Sequence, residues 1–156
     1  MPYLLQDLFE ETKNHGIRKK DKKRMARSCK YIKNYNLLPE LKCPEPTSDL
    51  HKQDVKELLN FYHNPSLPDK FLTKSHESVR DLFKEYCKAN DLNPNWKKIK
   101  DFRKDVSTIV SHLKYKHNRP RPKQFLGEEY DEIEDMFNPS FPSGHTATAY
   151  FFAEML

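Results

Sequence analysis

Between Pro94 and Pro120 the chain carries Trp96, Ile99, Phe102, Val106, Ile109, Val110 and Leu113, apolar residues that return at the three- and four-residue spacing of one helix face. Asn93-Pro94 opens this run. Pro120 and Pro122 lack a backbone donor and clash with the preceding turn, so the spacing predicts a single helix that ends near Lys116. Earlier segments repeat the same period. Thr47 and Ser48 are capping residues ahead of the stripe Leu50, Val55, Leu58, Leu59 and Tyr62. Ser75 is the expected cap of a second, core-facing helix with Val79, Leu82, Phe83, Tyr86 and Cys87 at i, i+3, i+4, i+7 and i+8. No segment alternates apolar and polar residues between turn signals, so the reading is all-α.

At 156 residues one hydrophobic core is expected, with residues 47–156 as the helical domain and residues 1–46 as a basic N-terminal extension or packing arm. The chain is polar, with 36% hydrophobic and 33% charged residues, yet 10 Phe, 8 Tyr and one Trp supply the large apolar groups that a disordered chain lacks. No run of apolar residues is long enough to span a bilayer, which excludes a helical membrane anchor within this sequence. The first sixteen residues read as an amphipathic helix and not as a secretory signal, so a soluble, cytoplasmic protein is expected. Cys29, Cys43 and Cys87 have neither paired nor metal-ligand spacing and read as free thiols.

The net charge of +5 is unevenly spread. Arg18 to Arg27 holds seven basic residues against Asp21, a run that suits an anionic polymer such as a nucleic-acid backbone or, more plainly, a solvated helix face. Gly127 to Met136 carries six acidic residues and can hold a short helix, but with no interleaved His it is read as solvated and no metal is expected.

Two short stretches carry chemistry. In the first, Lys114 stands one turn beyond Val110 at the edge of the apolar face, where an ammonium is costly unless an anion or carboxylate meets it. Arg121 follows between two prolines, with Arg119 nearby, so its guanidinium is aimed at low entropic cost. A guanidinium fork beside an ammonium point charge is a common way to hold a phosphoryl group. In the second, Pro142 sets a turn and the Ser143 hydroxyl caps a helix that continues as HTATAYFFAEML. Gly144 lets backbone approach an anion, and the N–H groups at the helix start point toward it. His145, in the first turn, is placed to protonate a leaving alkoxide.

The two stretches together, Lys114, Arg121, Pro122 and then Pro142, Ser143, Gly144, His145, resemble the first two motifs of the type 2 phosphatidic acid phosphatase (PAP2) superfamily. That superfamily includes bacterial class A nonspecific acid phosphatases and vanadium haloperoxidases, and the soluble composition is most similar to the acid phosphatases. The resemblance covers residues 112–152. It implies a helical bundle in which Lys114, Arg121, Ser143 and Gly144 bind the substrate phosphate and His145 is the general acid. The implied reaction is hydrolysis of a small phosphomonoester through a phosphohistidine, without a metal or other cofactor. Vanadate would be the cofactor only of a haloperoxidase.

The family's third motif, Ser-Arg followed by a nucleophilic His and its orienting Asp, is absent. None of the seven histidines has an Asp four residues on, so the nucleophile is expected outside this sequence. The final apolar helix, with Tyr150, Phe151, Phe152 and Leu156, accordingly reads as part of a bundle cut short. The alternative is a catalytically incomplete phosphate-binding or assembly protein, and a homo-oligomer is left open.

Overall fold

The computed structural model describes residues 16–35, 44–45, 48–64, 68–122, 124 and 138–155. Six helices are described: α1 Lys19–Met25, α2 Asp49–His63, α3 Asp69–Glu77, α4 Val79–Ala89, α5 Trp96–His117 and α6 Gly144–Ala153. No strand occurs among the described residues, so the fold is all-α.

The long helix α5 forms where the prolines bound it. The Asn95 side chain caps it by accepting from the Lys98 N–H, and Asn118 ends it in the left-handed region at φ 48, which Asn tolerates better than most residues. Its apolar side meets α4 and α6. Phe83, Cys87, Ile99 and Phe152 form the buried core, with Val79, Phe151 and Met155 packed around them. Phe83 and Phe152 stack with centroids 4.7 Å apart, and Trp96 meets Phe83 edge-on at 5.8 Å. Phe152 is 1% exposed, so its burial contributes about 2–3 kcal/mol, which ties α6 to the rest.

The other side of α5 is polar, and residues 16–35 dock there. Asp105 is buried and accepts three backbone N–H groups, from Lys30 (3.0 Å), Tyr31 (2.7 Å) and Ile32 (3.1 Å). Further up the helix Thr108 donates to the Arg24 carbonyl at 3.1 Å. Tyr115 donates to buried Asp21 at 2.9 Å, and Asp21 is also paired with Arg18 and Arg24. Tyr31 stacks on Phe102 and Tyr35 on His112 beside these bonds. The arm has no apolar periodicity, however, and the carboxylates of Asp105 and Asp21, which collect donors, supply much of the attachment.

Three expectations need correction. Ser75 lies within α3, and the cap of α4 is Ser78, extended at φ -160 and ψ 95, whose hydroxyl accepts from Asp81 N–H at 3.2 Å. Ser78 has the acidic partner Asp81 three residues on that a capping box favours, whereas Ser75 has Ser78 at that position. Tyr86 is 53% exposed, because the covering helix packs on Val79, Phe83 and Cys87 and leaves Tyr86 at its edge. On α2, Leu50 and Tyr62 are also exposed and His51 is the buried residue. Cys29 and Cys87 are free thiols, while Thr47, Cys43, Leu156 and the acidic run lie outside the described residues. Replacing Ser78 with Ala is expected to lower stability by about 1 kcal/mol, read as a shift in the urea midpoint with unchanged slope.

Candidate functional site

The left-handed turn at Asn118 redirects the chain from α5 into Arg119-Pro120-Arg121-Pro122, and this segment is hydrogen-bonded to residues 138–140. Ser140 supplies the register: its N–H donates to the Arg119 carbonyl at 2.8 Å and its hydroxyl to the Pro120 carbonyl at 2.7 Å. Arg121 donates through Nε to the Asn138 carbonyl at 2.8 Å and through Nη2 to Asn138 Oδ1 at 2.7 Å. The two stretches singled out in the sequence are thereby held side by side.

Lys114 reaches the same loop from α5. Its ammonium donates to the carbonyls of Pro139 and Ser140, the latter at 3.2 Å. Only 6% exposed, it has its pKa pushed down to about 7, first by burial and then by repulsion from Arg121 and Arg18, with Asp21 partly offsetting. Both cations expected to grip phosphate are thus engaged with loop carbonyls, at an electrostatic cost that a bound anion would reduce.

Ser143 caps α6 as expected, its hydroxyl accepting from Thr146 N–H at 3.2 Å. The Gly144 and His145 N–H groups belong to the helix's first turn, where no intrahelical acceptor exists. A Cβ at position 144 would lie 3.9 Å from Val110 Cγ1, an ordinary contact, so packing does not require the glycine. His145 is exposed at the mouth of the turn, with its ring 5.5 Å from the ring of His76 on α3. Partial burial, then the neighbouring His76, lower its pKa. The His76 carbonyl opposes that shift, while the charges of Arg121 and Lys114 add to it. At neutral pH the imidazole is therefore neutral, and a dianion beside it would favour the protonated form.

Beside Ser143 opens a groove of about 380 Å³, whose apolar wall is Val55, Leu58 and Phe61 from α2 facing Phe141 from the loop. Arg119, which bonds Asp54 at 3.0 Å, joins α2 to this wall. Sequence reasoning missed Asn138, Ser140, Asp54 and His76 as contributors. Asn138-Pro139-Ser140 carried a turn signal, but nothing in the spacing showed which carbonyls the cations would meet.

Among the described residues no cluster of three or more His, Cys, Asp or Glu side chains is placed to hold a metal ion. No described helix is long and apolar enough to cross a membrane. Comparison with known protein families, curated proteins and solved structures gives no match.

Proposed function

We propose that the paired loops form an oxyanion site of the PAP2 kind and that the protein is a phosphomonoester hydrolase whose nucleophilic histidine is not among these 156 residues. The observation that carries this reading is the clamp of Arg121 and Lys114 onto residues 138–140, directly ahead of a Ser143-capped helix start with His145 in its first turn. Two cations, helix-terminal N–H groups and a titratable imidazole lie on these adjoining stretches, the kinds of group that in-line displacement at phosphorus uses. The groove beside Ser143 gives the leaving group an apolar seat.

In this reading the phosphoryl group is bound by Lys114, Arg121 and the Ser143–Gly144 turn. The external histidine attacks phosphorus, the bond to the leaving oxygen breaks, and His145 donates its proton to that oxygen. Turnover of p-nitrophenyl phosphate, compared between this chain and the longest reading frame that contains it, tests the proposal. Activity confined to the longer form supports it, whereas anion binding without turnover in either form makes this a phosphate-binding protein.

In an active form His145→Ala is expected to slow hydrolysis of alkyl phosphates by about 10²- to 10⁴-fold, with little effect on p-nitrophenyl phosphate, whose leaving group needs no proton. Equal losses on both substrates would remove His145 from the role of acid.

A further inference from the structure

The basic run Arg18 to Arg27 divides into two sets once folded. Arg18 and Arg24 turn onto buried Asp21, at 2.7 and 3.0 Å. Lys19, Lys20, Lys22 and Lys23 remain exposed on the outside of α1, and Arg27 is exposed just beyond its end. Asp21, held by Tyr115, and Asp105, holding the Lys30 to Ile32 amides, fix this segment to α5 at two points. The lysines are thus displayed on a fixed support, which reduces the entropy that binding would cost.

The positive surface extends beyond α1. Arg103 on α5 is exposed and lies within electrostatic reach of Arg80 and Arg24, whose repulsion exceeds the attraction of Asp81. Asp101 and Asp81 do not cancel it, because each is shared by two cations, and Asp105 is buried under the backbone of Lys30 to Ile32. Asp101 sits between Lys30 and Lys104, and Asp81 between Arg80 and Lys84. Each cluster therefore keeps a net positive charge with its side chains held in place. At the edge of this track Tyr31, 40% exposed, stacks on Phe102 with centroids 4.1 Å apart, and the Lys30 ammonium lies 4.9 Å from its centroid.

We propose that the outer face of α1, continued over Lys104 and Arg103 to Arg80 and Lys84, is a nucleic-acid-binding surface that holds the phosphodiester backbone independently of the site at Ser143. A small anion would engage one cluster and leave the rest unused. A membrane surface fits poorly, since the sole apolar residue of α1 is Met25, which is partly buried and offers no face to insert. Tyr31, stacked on Phe102 with the Lys30 ammonium over its ring, leaves an aromatic edge exposed beside the cations that a base can meet and that an acidic peptide does not need.

The test is fluorescence anisotropy of the full chain with labelled single- and double-stranded oligonucleotides of about 20 nucleotides, titrated between about 50 and 200 mM salt. Expected is binding to at least one oligonucleotide with a log–log salt slope of about -3 or steeper. The variant K20E/K23E/R27E should bind tenfold or more weakly and lose about one unit of slope per contact removed, with its circular dichroism and its phosphate binding unchanged. These three side chains are exposed and outside the core, so the variant is expected to fold. A flat salt slope, an unaffected triple variant, or binding to phosphatidylserine vesicles but to neither oligonucleotide would each overturn the proposal.

Discussion

Asp105→Ala is expected to release the basic arm from α5 and to cost about 3 kcal/mol or more, because three backbone N–H groups, those of Lys30, Tyr31 and Ile32, lose one shared acceptor. Urea unfolding gives the size of the loss, and amide exchange at those three residues gives its location. Asp105→Asn should recover part of the stability, since one amide oxygen can still accept. The pH dependence has a fixed sign. Burial pushes the Asp105 carboxyl up, but the donors from Tyr31, Lys30 and Ile32 outweigh it and hold it below its ordinary value. Its contribution is therefore fully present above the unfolded value of about 3.9 and is lost as pH falls through the lower folded value. Unchanged stability in Asp105→Ala would mean that the arm is held elsewhere.

The second large effect is expected at Lys114. Its folded pKa of about 7 lies well below the ordinary 10.5, so between those values the unfolded chain binds more protons and this group's contribution to stability rises with pH. An anion at the loop reverses the preference by favouring the charged ammonium. Sulfate, which does not itself titrate in this range, should raise the melting temperature clearly at pH 6 and little at pH 8.5, with affinity falling about tenfold per pH unit above the midpoint. Lys114→Met should abolish that midpoint near 7. A sulfate effect independent of pH, or one that survives in Lys114→Met, would separate the buried lysine from anion binding.

The apolar part of the fold was legible in the sequence, since Ile99, Phe83 and Cys87 announce their faces by period, whereas Phe152 stands in an apolar run in which no period separates it from exposed Tyr150. So were the proline boundaries of α5 and the Ser143 cap. The polar face of α5 was not. Asp105, Thr108 and Tyr115 look like solvent-side residues in a one-dimensional pattern, and their partners lie 73 to 94 positions away in an arm without apolar periodicity. The Ser75 misplacement has a local cause, because a second Ser three residues on competed for the same cap. At the site, the sequence named Lys114, Arg121, Ser143, Gly144 and His145, but the Asn138 and Ser140 contacts that hold the two stretches together depend on tertiary closure.

Whether those stretches form one oxyanion site is tested most directly by calorimetric titration of the chain with orthovanadate. The expected result is one-to-one binding, weakened by about 10- to 100-fold in Arg121→Ala, which removes a charged fork. Gly144→Ala should keep the fold stability, since the added methyl makes only an ordinary contact with Val110, and a weaker affinity in that variant would show that backbone at Gly144 meets the anion. No vanadate binding, or equal affinity in all three proteins, would contradict the account.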